Sequence, residues 1–416
     1  MRSVKKIVLL GITLLLSLGF MFGCSNKSGE TAGASNNDLT FWYMGDGDEG
    51  IKPIVDEFTE ETGIDVQIQS IPWSSSRDKL LTAVASDKGP DVVQMGTSYM
   101  SEFVDAGALY DMTDEVEEED SLAPDNFFEG SVDTANIDDK YYGVPWYAET
   151  RALYYRQDLL KDVGYSEAPK NWEELEDAAK KLSERGDNMY GFNVDKDEQT
   201  FGFMFARQNG SKLFEGEKPL FNQPEMVEAL QYLNGMVKEG AAPKTDLGID
   251  VSQSFGGDGI LPMFISGPWM INEIKDSAPD IDGKWSVAQL PKGPENNISI
   301  MGGANLAVFE SSKNKEDAME LIEFLAKPEN QTKFFENTGS LPSNQEAWDN
   351  KIFTDDPQLS AFGEQLESSE AVPAIKEWEE IAQYYLKEWE QITSGEKKVQ
   401  PAMDDLNQQA ETLIDK

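Results

Sequence analysis

Apolar residues in the first third of the chain change repeatedly between the period of a strand and the period of a helix. Strands are predicted at residues 39–43, 66–71 and 90–94. Between them, apolar side chains recur every three or four positions, first at Ile54, Val55 and Phe58, and then at Leu80, Leu81 and Val84. The first helix should end at Gly63. Strands and helices that alternate at this spacing predict an α/β lobe with a mainly parallel sheet.

The alternation returns after residue 150. Strands are predicted at residues 152–155 and 190–192, and amphipathic helices at 172–185, 224–239, 316–325 and 328–335. Two closing helices follow, one through Tyr384, Tyr385 and Trp389, and one with Val399, Met403, Leu406, Ala410 and Leu413 on a single face. The second part of the chain therefore predicts a further α/β unit.

The segment 142–156 carries the most concentrated candidate chemistry. Glu149 and Arg151 stand two residues apart, so in an extended chain both point to one face, beside Trp146 and Tyr147. An aromatic platform next to paired charges suits a polyhydroxylated ligand, since sugar rings pack on aromatic planes while charged groups bind hydroxyls. A buried strand with an ion pair at its mouth accounts for the same residues, and both interpretations stay open.

Several motifs occur in order along the chain. They begin with Gly-Val-Pro-Trp-Tyr-x-Glu-Thr-Arg-x-Leu-Tyr-Tyr-Arg at 143–156 and Ala-Pro-Lys-Asn-Trp-Glu-Glu-Leu at 168–175. They continue with a strand and Gly-Pro-Trp at 259–269, a strand at 302–308, Gly-Ser-Leu-Pro at 339–342 and Pro-Ala-Ile-Lys-Glu-Trp at 373–378. Together they resemble the family 1 extracellular solute-binding proteins, the substrate-capturing subunits of bacterial sugar importers that include maltose-binding proteins. No single motif is diagnostic, but their order spans nearly the whole chain.

The resemblance implies a type II periplasmic-binding-protein fold, in which two α/β lobes are joined by several hinge crossings and the ligand lies in the cleft between them. Residues 38–148 and 300–340 would form the N-terminal lobe, and residues 149–299 and 341–416 the C-terminal lobe. The function implied is capture of a carbohydrate, expected to be an oligosaccharide, and its delivery to the permease of an ABC transporter. No catalysis and no cofactor are implied.

By position in the resemblance, the ligand would be bound from both lobes and from the hinge. The expected ligand-binding residues are Asp46, Trp73, Tyr99 and Asn305 on the first lobe, Trp146 near the hinge, and Glu149, Arg151, Phe205, Arg207, Trp269 and Trp378 on the second lobe. Trp42, Trp172, Trp285, Trp348 and Trp389 are assigned to packing. Asp46 lies in a Gly-x-Gly-x-x-Gly turn at 45–50, whose acidic residues would repel a pyrophosphate. Two interpretations of that segment stay open: a turn whose Asp46 accepts hydrogen bonds from ligand hydroxyls, or an acidic turn that is simply exposed to solvent.

Composition excludes several classes of function. The 416 residues carry a formal net charge of −42, so nucleic acids and anionic membrane surfaces are poor partners. Histidine is absent, which excludes every catalytic triad, metal site or general base that needs an imidazole. The chain contains one cysteine and therefore no intrachain disulfide. A monomer is expected.

The single cysteine, Cys24, follows a basic start and an apolar stretch from 7 to 22 that is short for a membrane-spanning helix. Met-Phe-Gly-Cys at 21–24 resembles a lipoprotein signal, in which the cysteine becomes the acylated N-terminus. Residues 1–23 would then be the signal peptide and 24–37, rich in Ser, Asn and Gly, a flexible tether. The protein is thus predicted to be lipid-anchored at the extracellular face of the cell membrane.

Three other functions remain as alternatives. A binding protein for a polyamine or for ferric iron would fit the acidic charge or the tyrosine pairs at 154–155 and 384–385, although Arg151 and Arg207 would repel a cation. A carboxylate glycosidase needs only two facing acids. A structural surface adhesin is the third, and no internal repeats support it.

Overall fold

The fold is built on two separate β-sheets with helices on both faces of each. The computed structural model describes residues 38–45 and 47–415. The predicted signal peptide and tether, Cys24 and Asp46 lie outside the described residues. The strands are β1 (Leu39–Met44), β2 (Val66–Ile71), β3 (Val92–Gly96), β4 (Asn136–Ile137), β5 (Lys140–Tyr141), β6 (Val144–Glu149), β7 (Ala152–Arg156), β8 (Phe214–Glu215), β9 (Lys218–Pro219), β10 (Met263–Ser266), β11 (Trp285–Ala288), β12 (Ser299–Val308), β13 (Leu341–Pro342) and β14 (Ser369–Ala371).

The helices follow the apolar periodicity of the sequence. They are α1 (Lys52–Thr62), α2 (Trp73–Ser86), α3 (Met100–Asp105), α4 (Thr113–Glu118), α5 (Glu129–Ala135), α6 (Gln157–Asp162), α7 (Trp172–Ser183), α8 (Phe201–Gln208), α9 (Pro224–Lys238), α10 (Val251–Ser254), α11 (Met270–Ser277), α12 (Lys315–Ala326), α13 (Pro328–Thr338), α14 (Lys351–Thr354), α15 (Pro357–Leu366), α16 (Trp378–Ser394) and α17 (Val399–Ile414). Across the part of the chain that the structure describes, no helix has the length and apolar character needed to cross a lipid bilayer.

Local signals set where two of these helices begin and end. Helix α1 stops at Gly63, whose φ of 79° places it in the left-handed region, as the sequence predicts. Helix α7 starts at Asn171, whose side-chain oxygen accepts a hydrogen bond of 2.9 Å from the backbone N–H of Glu174. Both predicted boundaries are confirmed.

The first sheet has the strand order β13-β6-β12-β3-β1-β2, and β14 pairs with one end of β12. Strands β2, β1 and β3 are parallel to one another. Strand β12 runs antiparallel to both of its neighbours, β3 and β6. The sheet is therefore mixed. The expectation of a mainly parallel sheet holds only for β1, β2 and β3, because β12 runs antiparallel to its neighbours.

The second sheet is smaller, with the order β10-β7-β11. Both of its strand pairs are antiparallel. Helices α7, α8, α9, α16 and α17 pack on one face, and α11 and α15 on the other. Because both faces are covered, Ala152, Leu153 and Tyr154 of β7 are all fully buried.

Side-chain alternation along the strands divides each lobe into two apolar layers. In β1, Phe41 packs with α1, α12 and α13 on one face, while Met44 packs with α2 and α3 on the other. In β7, Leu153 faces the larger helical layer and Tyr154 the smaller one. Each lobe therefore has apolar layers on both faces of its sheet, and one of these layers, with Ala148 and Met301 from the first sheet and Tyr154 from the second, continues from one lobe to the other.

Three extended segments cross between the lobes and are tied together by buried hydroxyl groups. The Thr150 and Ser369 hydroxyls lie 2.6 Å apart. The Ser299 hydroxyl oxygen accepts a bond of 3.1 Å from the Arg151 backbone N–H and donates one of 3.0 Å to the Arg151 carbonyl. Thr150 and Ser299 are fully buried, so these bonds compete with no solvent. We call Thr150, Ser299 and Ser369 the hinge hydroxyls.

The predicted strand at 190–192 is wrong. The segment is extended, but its backbone N–H groups bond to the loop carbonyls of Ile260 and Ala241 and form no strand ladder. Gly191 packs so closely on α7 that an added Cβ would lie 2.0 Å from the Ala179 carbonyl oxygen. Strand β13 also differs from expectation, since it pairs with β6 in the first sheet although it follows the predicted lobe boundary at residue 340.

Gly303 offers a direct test of the crossing in β12. Its φ is 111°, and an added Cβ would lie 2.1 Å from the Tyr147 carbonyl oxygen. We expect Gly303→Ala to lower the free energy of unfolding by about 1–3 kcal/mol or more, because backbone strain and a clash with main-chain atoms add. Urea unfolding followed by far-UV circular dichroism measures this.

The neighbouring Gly302 is the matched control, because a Cβ there would make only an ordinary contact of 3.8 Å. Gly302→Ala should change the free energy of unfolding by less than about 1 kcal/mol. Equal losses for the two substitutions would contradict this account of the crossing.

Candidate ligand-binding cleft

A chamber of about 340 Å³ lies between the two lobes, beside the crossing strands. The first sheet lines it with the end of β3, two residues of β6 and the start of β12, and the start of α2 adds to the same side. The second lobe lines it with the loop before α8 and the start of α16. The lining residues are Trp73, Gly96, Thr97, Ser98, Tyr99, Tyr147, Glu149, Arg151, Glu198, Gln199, Thr200, Ile300, Met301, Gly302, Gly303, Val372 and Trp378.

Trp73 and Tyr99 form the aromatic wall of the first lobe. Trp73 opens α2 directly after Pro72, and its side chain remains 39% exposed. The two ring centroids lie 6.5 Å apart at an angle of 54°. Gly96 allows this approach, because an added Cβ would lie 3.1 Å from the Trp73 ring. A partly exposed aromatic surface that lines a chamber can pack against the apolar face of a ligand.

Arg151 is the central cation of the second lobe. Its Nη2 atom lies 2.9 Å from the Glu198 carboxylate, and its guanidinium lies 4.9 Å from the centre of the Trp269 ring. Trp269 follows the Gly267-Pro268 turn and is 42% exposed. The Nη1 atom of Arg151 is buried and has no hydrogen-bond partner among the described residues. One donor of a fixed guanidinium is therefore left for a ligand.

Glu149 and Glu198 lie in different electrostatic environments. Burial raises the pKa of Glu149, Arg151 opposes that shift, and the charge of Glu198 adds to it. Burial also acts to raise the pKa of Glu198, but the charge and hydrogen bond of Arg151, together with bonds from Thr200, outweigh it and lower that pKa. In the described part of the chain, the Glu149 carboxylate has no ion-pair partner. Glu198 is thus satisfied within the protein, whereas Glu149 is left to accept hydrogen bonds from elsewhere.

Trp378 lines the chamber although its side chain is almost fully buried. It begins α16, is only 1% exposed, and packs against Phe203 with 5.0 Å between ring centroids. Its indole Nε1 atom is buried without an acceptor in the described residues. The ring face belongs to the core, so Trp378 lines the chamber without offering a stacking surface, and its indole N–H has no acceptor within the described residues.

Four other expected ligand contacts lie away from the chamber. Trp146 is fully buried, 4.6 Å from the Phe334 ring in the core of the first lobe. Phe205 is buried 5.4 Å from the Trp172 ring in the core of the second. Asn305 is buried in β12, where its side-chain amide donates a bond of 2.9 Å to the Thr134 hydroxyl. We therefore leave these three residues out of the proposed site, because apolar packing and internal hydrogen bonds already occupy their side chains.

Arg207, the fourth, lines a different cavity of about 860 Å³ that also lies between the lobes. Its Nη1 atom donates a bond of 3.1 Å to the Glu370 carbonyl, and its Nε atom lies 3.4 Å from the Glu370 carboxylate. The expected residues that do meet around the chamber are Trp73, Tyr99, Glu149, Arg151 and Trp378, with Trp269 against Arg151.

Sequence analysis did not identify Glu198, Gln199 and Thr200 as lining residues. They lie in a polar loop without apolar periodicity, so nothing local distinguishes them from other acidic loops. Their importance depends on Arg151, which is distant in sequence and close only in the folded chain.

The opposite pKa shifts of the two acids predict opposite effects on stability. The folded protein holds a proton on Glu149 more tightly than the unfolded chain, so this acid costs stability as pH rises above its ordinary pKa. We therefore expect Glu149→Gln to raise the free energy of unfolding at pH 7.5, with the gain shrinking as pH falls toward 4.5. Urea unfolding across this pH range measures the change.

Glu198→Gln is the matched control of opposite sign. The lowered pKa of Glu198 contributes stability above its ordinary pKa that is lost as pH falls. This substitution should lower the free energy of unfolding at pH 7.5, and its effect should also fade in acid. Two changes of the same sign at pH 7.5 would contradict the charge assignment.

Comparison with known proteins agrees with this architecture. The family model for bacterial extracellular solute-binding proteins matches residues 42–332. The galactooligosaccharide-binding protein of Bacillus subtilis is 26% identical over 397 residues, which cover 92% of this chain and 90% of that protein. A maltooligosaccharide ABC transporter solute-binding lipoprotein of Streptococcus pneumoniae is 25% identical over 442 residues, which cover 99% and 97%.

Among solved structures, the sugar-binding protein MalE from Xanthomonas citri superposes with a TM-score of 0.86 at 33% sequence identity. The match covers 91% of this chain and 97% of that one. It confirms the predicted fold class, with two α/β lobes and a cleft between them. On its sequence, its fold and the extent of the family match, the chain belongs to the bacterial extracellular solute-binding proteins.

Proposed function

We propose that this protein captures a carbohydrate in the chamber between its lobes and delivers it to the permease of an ABC importer. The observation that carries the proposal is the juxtaposition of exposed aromatic faces, Trp73 and Trp269, with hydrogen-bonding charges, Glu149 and Arg151. Aromatic planes pack on the C–H faces of pyranose rings, and charged groups bind the hydroxyls. The saccharide-binding relatives named above support it.

The ligand would act by holding the lobes together. A saccharide that contacts both lobes favours the closed arrangement by the difference in its affinity for the closed and open forms. Lys376 and Asp105 already meet across the cleft, with 3.5 Å between Nζ and Oδ2. Motion would be concentrated at the crossing segments that the hinge hydroxyls connect. The closed form would then be recognised by the permease.

A carboxylate glycosidase is the second candidate. Two acids whose pKa values are shifted in opposite directions, as for Glu149 and Glu198, are the pattern expected of an acid and base pair. Against it, the chain belongs to a family of solute-binding proteins. Chromatography of oligosaccharides incubated with the protein separates the two candidates, and we expect no product to be released.

Ferric iron and polyamines are less well supported as ligands. The Tyr154 hydroxyl, one of the tyrosine pair that suggested iron, donates a bond of 2.7 Å to the Gly267 carbonyl and is buried. Its role is therefore structural. A polyamine would meet the guanidinium of Arg151 in the chamber.

A lipid anchor at Cys24 completes the proposal. The n-region, the apolar stretch and the single cysteine support it from the sequence. The pneumococcal relative, which carries the word lipoprotein in its name, supports it by comparison. Anchoring would keep the binding protein close to the membrane in which its permease lies.

Trp269→Ala tests the saccharide proposal. Because the ring is 42% exposed and follows a rigid Gly-Pro turn, its loss should weaken saccharide binding by about 2–4 kcal/mol, as for an aromatic hot spot. Little stability should be lost. Isothermal titration calorimetry against neutral disaccharides and thermal unfolding measure the two effects.

Leu81→Ala controls for the general loss of exposed apolar surface. Leu81 is 36% exposed on α2 and does not line the chamber. This variant should bind as the unaltered protein does. If Trp269→Ala instead unfolds the protein while the folded fraction binds normally, Trp269 belongs to the core.

Closure can be measured because Cys24 is the only cysteine. In a protein that starts at residue 25, spin labels on cysteines introduced at Thr82 of α2 and Lys387 of α16 would report the separation of the lobes. Both positions are exposed. Addition of a binding saccharide should shift the distance distribution by double electron–electron resonance toward shorter values. An unchanged distribution under saturating ligand would contradict closure by a hinge.

Cys24→Ala tests the anchor. Metabolic labelling with a radioactive fatty acid should mark the unaltered protein and not the variant, because the acyl chains would be attached at this cysteine. Equal labelling of both would contradict the assignment of Cys24.

A further inference from the structure

We propose that the chamber selects neutral saccharides and rejects those that carry a carboxylate, and that Glu198 is a positioning residue for this discrimination. The inference rests on the proposed function and goes beyond it by naming the ligand's charge class. It follows from three features of the chamber: the balance of charge, the pairing of Arg151, and the polar atoms that lack partners.

Negative charge exceeds positive charge around the chamber. Among the described residues that line it, the charged side chains are Glu149, Arg151 and Glu198. Glu379 adds a further carboxylate at the start of α16, within 3.5 Å of the Gln199 amide. The nearby Arg77 is paired with Glu102 at 2.6 Å and contributes no free cation. A ligand carboxylate would therefore enter a field of its own sign, which costs binding in a partly dehydrated site.

Arg151 does not provide a free counter-ion for such a ligand. Glu198 holds its Nη2 atom at 2.9 Å, and the Trp269 ring covers the guanidinium at 4.9 Å. A carboxylate that approached Arg151 would share it with Glu198 and would also meet the charge of Glu149, which ends β6 two residues before Arg151. Specificity against such a ligand then comes from a repulsive element built into the site.

The unpartnered polar atoms favour hydroxyl groups over carboxylates. The Nε1 of Trp378 and the Nη1 of Arg151 are buried donors without acceptors, and Glu149 is an acceptor without an ion-pair partner among the described residues. A hydroxyl both donates and accepts, so a neutral sugar can satisfy all three groups. An ionised carboxylate in the same place only accepts, so it could bind the two donors but could not donate to Glu149.

Matched pairs of saccharides test the proposal. Maltose, cellobiose and α-1,4-galactobiose are each compared with the disaccharide in which C6 of the non-reducing unit is oxidised to a carboxylate. Binding is measured by calorimetry at pH 7.5. Where the neutral member of a pair binds, we expect its oxidised partner to bind at least about a hundred-fold more weakly, because two unfavourable charge contacts can produce a ratio of this size.

Glu198→Gln should reduce that ratio by about ten-fold or more, because it removes one negative charge and frees the charge of Arg151 while the amide oxygen can still accept its hydrogen bond. A residue with only a structural role would weaken both members of a pair equally. Glu380→Gln is the matched control, since Glu380 is exposed on α16 and does not line the chamber; its ratio should be unchanged.

The outcomes are distinguishable. Binding of an oxidised disaccharide as tightly as its neutral partner would overturn the inference and leave the proposed function standing. Failure of every saccharide to bind would overturn both. Should Glu198→Gln not fold, Glu149→Gln removes the other repulsive charge, and an unchanged ratio in that variant would overturn the inference.

Discussion

The structure depends on a few buried hydroxyl hydrogen bonds that hold together the segments passing between its two lobes. Each sheet buries most of its apolar surface against its own helices, while one apolar layer, with Ala148 and Met301 from the first sheet and Tyr154 from the second, continues from one lobe to the other. Hydrogen bonds are short-range and directional, so they add a defined geometry to this apolar contact. This arrangement fixes how the crossing segments lie against one another. It also places the end of β6, with Glu149, where both lobes meet.

Several groups in and around the chamber lower the stability of the folded protein when no ligand is bound. They include a half-buried carboxylate without a cation of its own, two buried donors without acceptors, and two aromatic rings exposed to solvent. Each feature costs folding free energy in the absence of a ligand. Glu198 and Arg151 show the contrasting case, in which burial is offset by an ion pair. Groups left unsatisfied in a cleft between moving lobes are where a ligand's binding energy can be used most effectively.

The sequence predicted the elements that depend on local signals and failed where distant contacts decide. Helix α1 ends at the predicted Gly63 and helix α7 begins at the predicted residue 172, because the residues at these ends act locally, one as a left-handed glycine and the other through the cap at Asn171. The segment at 190–192 has strand-like composition, yet loops supply its hydrogen-bond partners. Trp146 and Phe205 were indistinguishable in sequence from Trp73 and Trp269, because a tryptophan or phenylalanine in a core and one on a cleft wall differ only in what packs over them. Glu198 was missed for the same reason, since its partner, Arg151, is brought to it only by the fold.

The position of β12 has a consequence for how the chain acquires its structure. This strand lies in the middle of the first sheet, between β3 and β6, yet the whole of the second sheet precedes it in sequence. During synthesis, the first half of the chain cannot close its sheet, because the facing edges of β3 and β6 stay unpaired until β12 has emerged. Contacts of such long sequence separation slow folding and leave strand edges open to wrong pairing. Because β12 lies at the centre of the first sheet, the first lobe cannot be completed until most of the second lobe has been synthesised.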